Sequence, residues 1–485
     1  MNNKFSLGFS SLDKEVVIDE LPIKGVVPSW LSGTLVRNGP AKFEVGEKKM
    51  NHWFDGFAML HKFSFKNGKV SYANKFLESK AYKYTKEHGK INYSEFATDP
   101  CRSIFKRFTQ VFFPKITDNT NVNISRIADE FVAFTETPLP IKFDLKTLKS
   151  LGVFNYDDKL KGMLTTAHPH YDFEKKEGIN YITNFSAKIT YNVYSLPDST
   201  KSQLNATVKR NLISSVSVRE AAYMHSFGMT KNYIILAEFP LFMNPFKLLF
   251  GEVFVKSLKW KDKGTNFIII DRKTGKVKGQ HRTESFFAFH HINAFEQDDQ
   301  IVIDIAAYKD SSIIDYLYLD VLRGEINKNL IIDNEFRRYT ILLADTDSLV
   351  SYKLIGNNSI ELPRINYALK NTKDYQFVYG ISLNKDNGIF FNQLIKINVK
   401  ENKEGTSLMP QIWEEDDCYP GEPVFIKSPE AKNEDDGIIL SVVLNSKKQN
   451  SFLLILDAIS FQEIARAEVP HHIPFGFHGQ FYNFV

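Results

Sequence analysis

The residues best equipped for chemistry in this chain are its 12 histidines, four groups of which sit in matching surroundings. LTTAHPHYDF (164–173), AAYMHSFGMT (221–230), FAFHHINAF (287–295) and IPFGFHGQF (473–481) each set histidine at an apolar strand end followed by a turn. In the third, His290 and His291 lie among Phe286, Phe287, Phe289 and Phe295. A ring withdrawn from water in this way stays neutral, because burial disfavours the imidazolium. Neutral imidazole is a good ligand for iron, copper, zinc or nickel. Taken alone, the pair reads as core packing, so partners elsewhere decide the matter. From His168 to His225, to His290 and to His478 the separations are 57, 65 and 188 residues. No histidine pair has the i, i+4 spacing of a helical zinc site, and there is no Cys-x-x-Cys, so a local metal clip is excluded. Ligands this far apart would have to be gathered from separate structural units, as on the axis of a propeller.

The elements that must do the gathering read as strands. Residues 32–40, SGTLVRNGP, predict a strand ending in a turn at Asn38-Gly39-Pro40. Residues 52–76 alternate on both sides of Lys66-Asn67-Gly68, a hairpin signal. Further apolar strands are expected at 130–137, 179–186, 232–239, 265–280, 300–308, 437–444 and 451–458. The phrases at 144–148 and 271–275 follow apolar strands and resemble one another as turns. Many short strands with turn punctuation argue an all-β fold, and few all-β folds other than a propeller reach 485 residues as one unit. Seven blades would average about 69 residues, longer than usual repeats, and no clean repeat is visible. One helix is expected over 311–326, with Ile313, Ile314, Leu317, Tyr318, Val321 and Leu322 on one face. Two greasy segments, 97–115 and 239–255, are too short to span a bilayer and read as a monotopic patch that dips into one.

Composition narrows the classes. An apolar fraction of 43% and a charged fraction of 24% are those of a globular protein with a sizeable core. A net charge of +4, with the two signs interspersed, argues against nucleic acid. Two cysteines, Cys101 and Cys418, make no disulfide framework and suit a reducing compartment. The N-terminus lacks signal-peptide features and no run of 18 apolar residues occurs. The 41 phenylalanines fit core packing first and an apolar tunnel second. No Gly-x-Gly-x-x-Gly suggests a nicotinamide or flavin site.

The ordered set GTLVRNGP, HWFDGFAMLHKF, TAHPH, YMHSFGMTKNYIILAE, FHHINAFE, LPRINY, YPGEPVF, EDDGIILSVV and FGFHGQF resembles the carotenoid cleavage oxygenases from about residue 15 to the end. The likeness is greatest to the animal-type branch of β-carotene oxygenases and retinoid isomerase. It implies one domain over 1–485: an all-β, seven-bladed β-propeller with a helical or loop cap over an axial metal site. It implies one Fe(2+) held by His168, His225, His290 and His478, with O2 as co-substrate. His290 is preferred to His291 because the family's ligand lies three residues before the asparagine, here Asn293. Three glutamates behind the ligands are implied: Glu136 with His225, Glu361 with His290 and Glu422 with His478, leaving His168 without a carboxylate. His170, His291, His52, His61, His88, His281, His471 and His472 are left as packing residues.

The implied reaction is O2-dependent scission of a C=C bond in a carotenoid, first β-carotene cut centrally to retinal. Eccentric or apocarotenoid cleavage and retinyl ester isomerohydrolysis keep the same site. An apolar-ligand-binding propeller without activity is the non-enzyme alternative. The partners expected are a carotenoid or apocarotenoid and, through 97–115 and 239–255, a membrane surface. The expected place is cytoplasmic and peripherally membrane-associated. In animal members the cysteine matching Cys101 can be acylated.

Overall fold

The computed structural model describes residues 3–100, 117–198, 208–326, 332, 334–345, 349–384, 388–400 and 409–483. Seven antiparallel sheets of four to six strands follow one another along it. The first combines Val17–Ile18, Gly33–Lys42, Phe57–Lys66 and Lys69–Phe76 with the last strand, Gly479–Asn483. The second spans 123–153, the third 164–218, the fourth 228–283, the fifth 287–354 and the sixth 361–413. The seventh spans 418–469 and takes Ile23–Gly25 on its edge. Both chain ends are thus sewn in, the C-terminal strand to the first sheet and an N-terminal strand to the seventh. A three-stranded sheet, with Ala221–Ala222, Leu241–Met243 and Leu258–Trp260, is inserted around the fourth.

Local sequence accounts for the turns. Asn67 and Gly68 both have positive φ (52° and 74°), the two-residue hairpin whose twist matches its strands. Asp144, Asp172, Asp271 and Asp457 each accept backbone N–H groups two or three residues ahead through Oδ1. Four residues past each aspartate the chain turns left-handed, at Leu148, Lys176, Gly275 and Phe461. These Asx turns close outer hairpins of the second, fourth and seventh sheets and an inner hairpin of the third. The resemblance seen between 144–148 and 271–275 is therefore one of position as well as of turn type, shared with 457–461, while 172–176 reuses the turn at the other side of its sheet. Only the aspartate persists among the four phrases, which is why no repeat shows in the sequence.

The inner edges of the sheets touch in succession. Gly33–Lys42 and Gly479–Asn483 meet Asn123–Ile127, and Asn123 Nδ2 donates to the Ala167 carbonyl at 2.8 Å. The Thr166 hydroxyl donates to the His225 carbonyl. Gly228–Met229 meets Phe287–Gln297, which meets Glu361–Arg364, and Val424–Lys427 returns to Gly479–Asn483. Apolar faces fill the space between sheets: Ile234, Leu236, Ile268 and Ile270 are buried in the fourth, Ile301, Ile303 and Ile305 in the fifth.

Two expectations need correction. The strand begun at residue 33 does not stop at Asn38-Gly39-Pro40; it runs on to Lys42 and is buried through Ala41. Asn38 there donates to the Thr120 and Asn123 carbonyls. Gly39 is required by close approach, since a Cβ would lie 2.3 Å from the Gly476 Cα. The helix expected over 311–326 is two short ones, Ser312–Tyr316 and Leu319–Leu322. Trp53 N–H takes the Leu317 carbonyl and Leu319 N–H donates to Asn51. That isolated bridge pins Tyr318 in extended backbone, so tertiary pairing overrides helical periodicity. Most of 97–115, including Cys101, lies outside the described residues.

Two rings far from any proposed ligand role make the fold acid-sensitive. Burial pushes His52 and His61 down to about 3. The unfolded chain takes up a proton at each ring below pH 6.5, whereas the native state does not until about pH 3. Stability is therefore full above 6.5 and falls as the pH drops, by about 2 kcal/mol per ring at pH 5. His61→Asn should narrow the difference in urea midpoint between pH 7 and pH 5 by one ring's share. An unchanged difference would refute that assignment.

Candidate metal centre

Each of the seven sheets sends one of seven singled-out residues to a common centre. His478 immediately precedes Gly479–Asn483 of the first sheet. Glu136 follows Glu130–Phe134 of the second, and His168 lies between Leu164–Thr165 and His170–Asp172 of the third. His225 leads into Gly228–Met229 of the fourth. His290 sits within Phe287–Gln297 of the fifth, at a register shift after Ala288 that turns it off the strand's alternation. Glu361 opens Glu361–Arg364 of the sixth, and Glu422 lies between Cys418–Pro420 and Val424–Lys427 of the seventh.

The four imidazoles each offer one nitrogen to a space in which all four nitrogens lie within 4.8 Å of one another. The Nε2 atoms of His168 and His225 are 2.9 Å apart, those of His290 and His478 3.2 Å. Behind them, the Nδ1 of His225 meets Glu136 Oε1 at 2.6 Å, that of His290 meets Glu361 Oε2 at 2.6 Å, and that of His478 meets Glu422 Oε1 at 2.7 Å. A carboxylate only accepts, so each of these Nδ1 atoms carries the proton and each Nε2 presents a lone pair inward. Among the described residues no carboxylate is hydrogen-bonded to His168; its backbone N–H is held by the Thr166 hydroxyl at 3.0 Å.

Lone pairs facing one another at such distances repel unless a cation lies between them. Metal–nitrogen bonds of about 2.1 Å put adjacent ligand atoms about 3 Å apart and opposite ones about 4.2 Å apart. The 2.9 and 3.2 Å spacings match adjacent ligand atoms, and four neutral nitrogen donors suit a borderline divalent transition metal. The donor set therefore fits Fe(2+). Burial and the three facing rings hold His168 well below the ordinary histidine value. Burial also takes His478 down to about 4, although Glu422 opposes it.

The braces are themselves braced by residues not singled out in the sequence. The hydroxyls of Tyr223 and Tyr308 each donate at 2.9 Å, to Glu136 and Glu361 respectively. Glu361 also accepts the Leu362 N–H at 2.7 Å. Burial pushes Glu361 up, yet His290, Leu362 and Tyr308 hold it below the usual carboxylate range. Glu422 accepts from Arg37 at 2.5 Å and from the Gly479 N–H at 2.9 Å, and Arg364 forms an ion pair with it at 2.9 Å. Against the penalty of burial, Arg364, His478 and Arg37 bring it down to about 2. These partners lie inside the quoted motifs, Arg37 in GTLVRNGP and Arg364 in LPRINY, but an isolated arginine or tyrosine carries no spacing signal.

The neighbouring histidines stay out of the cluster. His291 donates from Nδ1 to Ser226 Oγ at 2.8 Å, and that hydroxyl is spent on the Phe289 carbonyl. His170 bonds Tyr367 and the Phe227 carbonyl. His52, His61, His88, His281, His471 and His472 are absent from the metal-ligating group. One face of the cluster opens into a cavity that touches His225, His290 and His478. Its walls are mainly apolar, with aromatic rings among them: Trp53, Phe54, Phe96, Phe254, Phe289 and Phe477. Phe289 lies edge-on to the His225 ring with centroids 5.3 Å apart.

Comparison with known proteins places this architecture. Residues 9–483 match the family model described as "Retinal pigment epithelial membrane protein". The mitochondrial carotenoid-cleaving dioxygenase of Mustela putorius furo is 37% identical over 95% of this chain and 93% of its own. The β,β-carotene 15,15'-dioxygenase of Gallus gallus is 35% identical over 95% and 94%. A solved apocarotenoid oxygenase mutant from Synechocystis superposes with a TM-score of 0.85 at 24% identity, covering 99% of this chain and 98% of that one. That likeness shows a shared propeller-type fold. The length, order and closeness of these matches make the chain a member of the retinal pigment epithelial membrane protein family, the carotenoid oxygenases.

Proposed function

We propose that this chain is an iron-dependent dioxygenase that cleaves one C=C bond of a carotenoid, with central cleavage of β-carotene to retinal put first. The observation that carries the reading is the juxtaposition of four convergent imidazoles with an aromatic-walled cavity. His168, His225, His290 and His478 are the residues to hold iron, and Glu136, Glu361 and Glu422 fix the tautomers of three of them. When bound, iron supplies the activation of O2. The chain's own contribution is positioning: the aromatic walls desolvate a polyene and present one bond to the centre. The names of the relatives, β,β-carotene 15,15'-dioxygenase and carotenoid-cleaving dioxygenase, support this substrate class. The apocarotenoid oxygenase fold match keeps eccentric or apocarotenoid cleavage as the second reading.

The same proposal takes 1–485 as one domain, a seven-bladed propeller with the helical and loop segments over the site as its cap. Seven sheets of four to six strands and the sewing of both termini into neighbouring sheets support it. It also includes peripheral membrane contact on the cytoplasmic side. Phe246 and Phe250 are 67% and 62% exposed beside Lys247, in the 239–255 segment, and Leu248, Gly251, Glu252 and Phe254 of that segment line the cavity. An entrance that meets lipid would suit a substrate insoluble in water. Among the described residues no helix is long and apolar enough to cross a membrane.

Fe(2+)-loaded protein given β-carotene in detergent under air should yield retinal as the only aldehyde. A longer apocarotenal would select eccentric cleavage, and no product from any carotenoid would end the dioxygenase reading. For the ligand set, His225→Ala should lose iron and activity, while Glu136→Gln keeps the site but with affinity lower by about 10–100-fold. His291→Ala should retain iron. Equal iron loss at positions 225 and 291 would overturn the choice of ligands. Phe246→Ser with Phe250→Ser should reduce sedimentation with liposomes; unchanged sedimentation would remove this patch from the membrane contact.

A further inference from the structure

The cavity over the metal centre has two unlike wings. Thr135 and Met163 line it from the second and third sheets, beside Leu248 and Gly251 of the 239–255 segment, where Phe246 and Phe250 meet solvent. Ile313, Leu317, Leu362, Ile381 and Phe391 line it from the fifth and sixth. In a closed succession of seven sheets, the second and third stand across the axis from the fifth and sixth, so the wings lie on either side of the four histidines. The first wing carries the mouth. The second is shut, since none of its five residues is more than 7% exposed.

The wall of the shut wing is backed from far away in the chain. Phe391 has Phe390 behind it, with ring centroids 5.6 Å apart. Phe390 is stacked on Phe5 at 4.7 Å and met edge-on by Phe9 at 5.5 Å. Phe9 also stands edge-on to Trp53 at 5.4 Å, and Trp53 lines the same cavity against Phe477. One N-terminal pair of rings thus supports two rings of the cavity without lining it. The pair is fixed in place. Both rings are buried, within the 3-10 helix Lys4–Phe9. Arg323 donates to the Phe9 carbonyl at 2.6 Å, the Phe475 N–H to the Gly8 carbonyl at 2.8 Å, and Asn3 Nδ2 to the Leu322 carbonyl at 3.0 Å.

We propose that Phe5 and Phe9 are positioning residues for the cleavage: through Phe390 they hold Phe391 as the end-stop of the shut wing, and that end-stop determines which C=C bond faces the centre. The proposal rests on the polyene-cleavage reading and adds to it the part of the chain that chooses the bond. A conjugated polyene is a stiff rod, so its place along the cavity is fixed where its leading end meets a wall. A wall sets that place only if it does not yield, and a single ring could yield by turning about its side-chain bonds. Rings interlocked face to face and edge to face lose that freedom. Burying Phe5 and Phe9 would stabilise the fold wherever they lay; their continuity with both Phe391 and Trp53 is what ties them to the cavity.

Phe5→Ala and Phe391→Ala should each deepen the shut wing, so that a polyene slides in farther and the cut moves towards its trailing end. On iron-loaded protein given β-carotene, the ratio of displaced-cut aldehydes, one longer and one shorter, to the wild-type product should rise about tenfold in both variants. A variant that loses activity or stability while its product pattern stays that of wild type has lost packing alone, and that result in Phe5→Ala overturns the proposal. If Phe5→Ala does not fold, Phe390→Leu decides: it fills most of the space but removes the ring that links Phe5 to Phe391, and an unmoved product pattern there overturns the proposal. Wild type that cleaves no polyene would sink the cleavage reading, and binding would still judge the end-stop. Phe5→Ala should then raise the affinity for lycopene, a longer acyclic polyene, about tenfold relative to β-carotene, read by quenching of tryptophan fluorescence. An unmoved affinity ratio overturns the assignment.

Discussion

The structure depends on holding four imidazole lone pairs against one another. Two Nε2 pairs at 2.9 and 3.2 Å cannot relax by rotating, because three of the rings are anchored at Nδ1 by buried carboxylates. The carboxylates cannot swing away, because tyrosines, arginines and backbone N–H groups occupy their remaining lone pairs. Each shell removes a freedom from the one inside it. The cost of assembling a cation site is therefore met in folding, and an arriving ion finds the ligands already oriented.

A closed ring of sheets suits such a centre. One strand end per sheet reaches the axis, so ligands can be hundreds of residues apart in sequence and still adjacent in space. His290 and His478 are 188 positions apart and their rings touch. Sewing the last strand to Gly33–Lys42 matters for the same reason, since His478 directly precedes that strand. Loss of this pairing would release a ligand as well as an edge.

Much of this was legible in the sequence, for identifiable reasons. Strands such as 300–308 and 437–444 alternate or run apolar, and the Asn67-Gly68 hairpin carries its own conformational signature. The seven residues at the centre could be named from motif resemblance, not from spacing, because ligands on different sheets leave no period. What stayed hidden depends on tertiary partners. The helix at 311–326 is broken by a bridge to His52, over 260 residues earlier in the chain. The strand through Asn38-Gly39-Pro40 continues because these residues pair with Leu60, Met59 and Ala58, and Gly39 is there because Gly476 lies against it. Turn repetition escaped notice because Leu148, Lys176 and Phe461 take the left-handed conformation where glycine would have advertised it.

Charge balance explains why the three braces differ. Glu136 and Glu361 are each steadied by a neutral tyrosine, whereas Glu422 faces two guanidinium groups. Three buried carboxylates around one small space repel each other, and tyrosines alone would leave the repulsion uncancelled. Placing Arg37 and Arg364 on one of them leaves about one net negative charge without an ion and one positive charge with a divalent ion. The centre thus stays close to neutrality in either state. Had all three carboxylates carried arginines, a dication would have met a repulsive field. Had none, three carboxylate charges would have faced one another with nothing but the rings between them. The two guanidinium groups at Glu422 thus offset one share of the charge that three close carboxylates bring, while all three hold their imidazoles pointed inward.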